Sequence, residues 1–144
     1  MYGRGMAGLP SLTEIFDEFE LLDGEDRYRL LIDLGRQLGP MPDALKTEST
    51  KVRGCSASVW VYPTAHDGRL HFLADSNAAI TKGIVALVLS AVQDKPAAEV
   101  ARLDVAQALA PFELSKHLSA NRTQGVPNMI ALVKQTADRY AATA

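Results

Sequence analysis

Ser58-Val59-Trp60-Val61-Tyr62 and Arg69-Leu70-His71-Phe72-Leu73-Ala74 flank the turn signal His66-Asp67-Gly68. Both runs are β-branched and aromatic, the side chains that suit a pleated, half-buried surface, so together they read as an antiparallel hairpin. An isolated hairpin is marginal in water. A third strand around residues 50–53 is therefore expected to join it. The surrounding stretch 44–53 is polar, with no helical apolar stripe, and reads as a loop or an edge strand.

Working outward, Asp75-Ser76-Asn77 offers three capping residues ahead of a segment that is apolar almost all round as far as Val92. That pattern predicts a buried helix. Gly83 is costly inside it and implies the close approach of another backbone. Pro96 stands at the start of a further helix over 97–103, Asp104 separates it from one over 105–112 that Pro111 ends, and a last helix is expected over 125–142. On the other side of the hairpin, Leu12, Ile15, Phe16, Phe19 and Leu22, then Tyr28, Leu31, Ile32, Leu34 and Leu38, recur at three- and four-residue steps. These are two helices, with Asp23 placed to cap the second, Glu25 and Asp26 near its positive end, and a stop near Gly39 before Pro40 and Pro42. Helix, helix, small sheet, helices is the order of a single α+β domain with a small three-stranded antiparallel sheet. Its extent is 11–142, with 1–10 a flexible N-terminus.

Composition narrows the function. The 144 residues suit one domain, and 15 basic against 17 acidic side chains give a net charge of -2, no field that nucleic acid would select. The single cysteine excludes an intramolecular disulfide framework and any site that needs several thiolates. Residues 1–10 lack a signal or transit pattern, and the most apolar window, 84–92, is shorter than the roughly 20 residues of a membrane crossing. A cytoplasmic location, away from membranes, is expected.

Cys55 is the one strong nucleophile. Lys51 and Arg53 lie within four residues of it and would favour its thiolate, while Gly54 frees the backbone just before it. A small buried hydrophobe is the other reading of such a residue, and local pattern leaves both open. His66, His71 and His117 show no metal or Cys-His spacing and read as solvated or hydrogen-bonded. Trp60 reads as sheet packing, and the adjacent acids Asp17-Glu18 and Glu25-Asp26 do not converge as an acid and base would. No phosphate loop or nucleophile elbow is present.

Gly54-Cys55-Ser56-Ala57-Ser58-Val59-Trp60 resembles the Gly-Cys, spacer, Val-Trp motif of the SufE family of sulfur acceptors. Three more blocks, in order, are similar to that family: Leu34-Gly35-Arg36-Gln37-Leu38-Gly39-Pro40-Met41-Pro42 at a helix end, Asp75-Ser76-Asn77-Ala78-Ala79-Ile80-Thr81-Lys82-Gly83 at a buried helix start, and His117-Leu118-Ser119-Ala120-Asn121-Arg122-Thr123-Gln124-Gly125 before the last helix. The chain departs from the family pattern at Ala57, where serine is usual, at Asn77, where aspartate is common, and at Ala120-Asn121, in place of Pro-Ser. The resemblance implies a fold shared with iron-sulfur scaffold proteins and a carrier that takes sulfane sulfur onto Cys55 from a cysteine desulfurase, stimulating it for iron-sulfur cluster assembly. Pyridoxal phosphate would belong to that partner and no cofactor to this chain. Cys55 would be the acceptor, with Lys51, Arg53, Gly54 and Arg122 meeting the desulfurase and a scaffold protein as a further candidate partner. A non-catalytic allosteric activator is the alternative. A self-sufficient cysteine hydrolase lacks a marked Cys-His pair, and a cluster scaffold fails on the cysteine count.

Overall fold

The computed structural model describes residues 9–143, so most of the expected flexible start, residues 1–8, lies outside the described residues. Helix α1 (Leu12–Phe19) opens with a reciprocal cap. The Glu14 amide donates to the Ser11 hydroxyl at 3.2 Å and the Ser11 amide donates to Glu14 Oε1 at 2.9 Å. Helix α2 (Gly24–Gly35) follows Asp23, which holds the extended cap position, although its side chain makes no capping hydrogen bond. The apolar period holds at Ile15 and Phe19 of α1 and at Leu31 and Leu34 of α2, which are buried, and Leu30, outside the expected stripe, is buried with them.

Strands β1 (Val59–His66) and β2 (Arg69–Ser76) pair antiparallel from Val59↔Ser76 to His66↔Arg69. Asp67 (φ 54°) and Gly68 (φ 77°) are both left-handed, the two-residue turn whose twist matches that of the strands. Val59 and Val61 on β1 and Leu70, Phe72 and Ala74 on β2 alternate into the core. Pro63 is tolerated because β1 is an edge of the sheet.

The third strand is not at 50–53. It is β3 (Lys95–Pro96), which pairs with β2 through Arg69↔Pro96 and Leu70↔Lys95. The 50–53 segment reaches β1 only through the isolated bridge Lys51↔Trp60, with the Val52 amide donating to the Val59 carbonyl at 2.8 Å. Two local features stop it from extending. Upstream, residues Glu48–Thr50 curl into a 3-10 turn in which the Thr50 hydroxyl donates to the Leu45 carbonyl at 2.6 Å. Downstream, Gly54 takes a φ of 84° and turns the chain away.

Helix α3 (Ala79–Ser90) is buried as its composition requires, but Asp75, Ser76 and Asn77 do not cap it. Asp75 and Ser76 end β2, and Asn77 Oδ1 accepts from the Ser58 amide at 3.1 Å. The expected close approach at Gly83 is present: a Cβ there would run into the Leu31 carbonyl of α2, and one on Gly35 would lie 2.9 Å from the Gly83 nitrogen. Helices α4 (Ala97–Arg102) and α5 (Val105–Leu109) are divided at Asp104, whose carboxylate accepts from the Gln107 amide at 3.1 Å. Two short helices that local pattern does not reveal, α6 (Leu114–His117) and α7 (Ala120–Thr123), lead to α8 (Val126–Thr143), which packs on α3, α4 and α5. The fold is α+β, a three-stranded antiparallel sheet packed against helices. Phe112 closes one end of the core edge-on to Phe16 and Phe19, at 5.3 and 5.1 Å between ring centres.

Candidate functional site

Between the buried residues Val52 and Val59 the chain makes a loop with Cys55 near its tip. Gly54 is required there twice. Its backbone is left-handed, and the space its Cβ would fill holds the Asn128 amide nitrogen. Asn128 Nδ2 donates to the Arg53 carbonyl at 2.7 Å, and across the tip the Ser56 hydroxyl donates to the Asn121 carbonyl at 2.7 Å. Cys55 turns its sulfur onto Gly125, the residue before α8, where any Cβ would collide with Sγ. The half-buried side chain packs at the margin of the hydrophobic core.

This seat sets the acidity of the thiol. An α-helix start favours an anion, and Lys51 and Arg53 are expected from the sequence to add to that effect. Burial pushes the Cys55 thiol the other way, above its ordinary value. The expectation of a thiolate held by its flanking cations is therefore corrected: both side chains are exposed, and charges in water are strongly screened.

Lys51, Arg53 and Arg122 share a different property. Among the described residues none of the three pairs with a carboxylate, a trait they share with Arg27, Arg69, Lys95, Arg102 and Arg139, whereas Arg29, Arg36, Lys46, Lys82, Lys116 and Lys134 are paired. Arg122 is exposed on α7, next to the Asn121 whose carbonyl holds Ser56, and its guanidinium stands 5.7 Å from the centre of the Tyr28 ring. The geometry thus brings Gly54 and Cys55 against α8 and sets Arg122 on the short helix that abuts their loop. An apolar groove of about 480 Å³, bordered by Leu109, Leu114, Val126, Pro127 and Ile130, begins one residue beyond Gly125.

The histidines are engaged elsewhere. His71 Nδ1 is 2.8 Å from Asp94, His117 Nε2 is 3.0 Å from the Arg27 guanidinium, and His66 sits 3.4 Å from Asp67 beside the hairpin turn. Among the described residues no group of three or more His, Cys, Asp or Glu side chains is placed to hold a metal ion, and no helix is long and apolar enough to cross a membrane. Asn77, in place of the aspartate common in the resembling family, keeps an acceptor oxygen on Ser58. Asn121 and Gly125 lie in a block similar to the family, but nothing in the sequence marks the contacts of Asn121 with Ser56, Gly125 with Cys55 or Asn128 with Arg53, which are set by the fold.

Residues 13–137 match the family model described as "SufE: Fe-S metabolism associated domain". The chain is 38% identical over 135 residues to an uncharacterized SufE-like protein of Rhizobium meliloti (strain 1021), covering 90% of this chain and 96% of that one. It is 37% identical over 139 residues to another from Rhizobium etli, covering 93% and 94%. A hypothetical protein from Thermus thermophilus, solved in solution, superposes with a TM-score of 0.75 at 15% identity over 93% of this chain and 98% of that one, a likeness of fold. The match to the family runs through the hairpin, the cysteine loop and the last helix alike, and on that ground the chain belongs to the SufE family.

Proposed function

We propose that this protein is a sulfur acceptor that takes sulfane sulfur onto Cys55 from a pyridoxal-phosphate cysteine desulfurase and, by relieving that enzyme of its sulfur, stimulates it. The observation that carries the reading is the placing of the one cysteine: near the tip of a glycine-hinged loop, seated on a glycine, and within a domain of a family described as associated with iron-sulfur metabolism.

In the seat the thiol is held neutral by burial. On leaving it the thiol meets water, and its proton passes to solvent. The thiolate then attacks the outer sulfur of a cysteine persulfide on the desulfurase, forming a new S–S bond as the old one breaks. The desulfurase cysteine leaves as a thiolate and Cys55 carries the persulfide. The step needs no metal and no acid-base pair on this chain. Gly54 supplies the hinge, and Lys51, Arg53 and Arg122, without carboxylate partners among the described residues, suit an acidic rim on the desulfurase. An iron-sulfur scaffold protein is the proposed recipient of the sulfur, and the cytoplasm the proposed setting.

One observation favours a second reading. A half-buried thiol with a raised pKa also fits a structural cysteine, in which case the protein would activate a desulfurase allosterically. Desulfurase turnover with Cys55→Ser separates the two. A carrier loses nearly all stimulation in the variant, whereas an allosteric activator keeps most of it.

A further inference from the structure

The loop that carries Cys55 is a strap between two fixed posts. Val52 and Val59, 6% and 0% exposed, anchor its ends and are joined by a backbone hydrogen bond of 2.8 Å. Between them every residue is exposed or only partly buried, so the apolar core does little to hold the strap down. At the β1 end Ser58 is tied to Asn77, its amide donating to Asn77 Oδ1 at 3.1 Å and its carbonyl accepting from the Asn77 amide at 3.3 Å, and around Cys55 itself three contacts hold the strap: the Asn128 amide on the Arg53 carbonyl, the Ser56 hydroxyl on the Asn121 carbonyl, and the sulfur against Gly125.

Asn128 and Gly125 lie three residues apart at the start of α8, so they belong to one helical face. That single face clasps the backbone before Cys55 and receives its sulfur. The fit is mutual, because the Asn128 amide fills the space that any larger residue at position 54 would claim. Asn128 is exposed and its side chain makes no other hydrogen bond among the described residues, so the clasp has little bearing on the packing of α8.

We infer that Asn128 is a positioning residue whose hydrogen bond to Arg53 sets how much of the time Cys55 is seated, with Ser56 as the second clasp. A seated thiol is neutral and shielded, and an unseated one is ionisable and within reach of a reagent or a partner. As a control on sulfur uptake the device rests on the carrier reading, but the clasp itself is a property of the free protein. Its strength is also suited to the task. Exposed hydrogen bonds are weak enough for thermal motion or a docking partner to break, and the loss of one shifts such an equilibrium about fivefold.

The test is the rate at which iodoacetamide alkylates Cys55 in the full chain as a function of pH, with no desulfurase present. Asn128→Ala should react about fivefold faster at neutral pH, and its rate profile should turn at a lower pH than that of the wild type, because the free thiol escapes the burial that raises its pKa. Asn128→Asp, which keeps the shape but faces the Arg53 carbonyl with an oxygen, should do the same. Gln135→Ala, an exposed change further along α8, should match the wild type. If either Asn128 variant has a lowered unfolding midpoint, Ser56→Ala supplies the same readout from the other clasp. A purely structural role would lower stability without moving the turning point of the profile, and wild-type profiles in the folded Asn128 and Ser56 variants would overturn the inference. Sulfur uptake from a desulfurase is measured in parallel. Unchanged alkylation with normal uptake defeats the clasp alone, and faster alkylation with no uptake defeats the carrier reading while the clasp stands.

Discussion

Cys55 shows how far a nucleophile's surroundings can differ from its neighbours in sequence. Lys51 and Arg53 are near it along the chain, yet their charges end in solvent, while Gly125, seventy positions away, supplies the surface that desolvates the sulfur. The presence of a reactive candidate was legible at Gly54-Cys55, but the direction of its acidity was not, because burial by α8 is a tertiary effect. A pH dependence follows from that direction. The folded thiol pKa is raised, so the seat stabilises the protein fully below the ordinary thiol value of about 8.5 and that contribution is lost as pH climbs through the higher folded value. Replacing both Lys51 and Arg53 with glutamine should leave the pH profile of Cys55 alkylation nearly unmoved at physiological salt, where exposed charges are screened within about 8 Å. A profile displaced upward by a full pH unit in that double variant would show that the cations, and not burial, govern the thiol.

At the scale of elements, the locally marked segments were legible and the contingent ones were not. Apolar spacing placed α1 and α2, unbroken apolar composition placed α3, the apolar residues before Tyr140 placed α8, and the two runs about Asp67-Gly68 gave the hairpin, because each signal is local to its own segment. The third strand was misplaced since β3 is two residues long and owes its existence to β2, not to any strand-like pattern of its own. Helices α6 and α7 are four residues each, too short to display a stripe. The capping residues before α3 were misread because they serve other partners. Burial works against the charge of Asp75, but the hydrogen bonds from Lys46, the Ser76 amide and Lys82 outweigh it and hold the carboxyl below its ordinary value. Gly83, by contrast, was read correctly as a contact residue. Gly83→Ala should cost about 1 to 3 kcal/mol through its clash with the Leu31 carbonyl, whereas Gly24→Ala, with open space around it, should be neutral or stabilise by about 0.4 to 1 kcal/mol. Urea unfolding of the two variants checks this contrast, and equal effects would refute the α2–α3 packing described here.

For the whole molecule, topology brings segments distant in sequence together at the cysteine. The loop of Cys55, the short helix α7 and the start of α8 meet there, and Lys51, Arg53 and Arg122 stand about them without internal carboxylate partners among the described residues. Arg122→Ala is expected to weaken desulfurase stimulation and to make it less sensitive to salt, while stability falls by no more than about 1 kcal/mol, the scale of an exposed cation–π contact. Titrating desulfurase turnover against the variant at low and moderate salt checks it, and a wild-type response would remove Arg122 from the docking face. The central claim is that Cys55 receives sulfur, and intact mass spectrometry of the full chain after incubation with desulfurase, pyridoxal phosphate and cysteine tests it most directly. The account predicts a gain of about 32 Da, one sulfur atom, on Cys55, reversed by a thiol reductant and absent when the desulfurase or cysteine is omitted. An unmodified Cys55 beside an actively turning over desulfurase that this protein stimulates would contradict it.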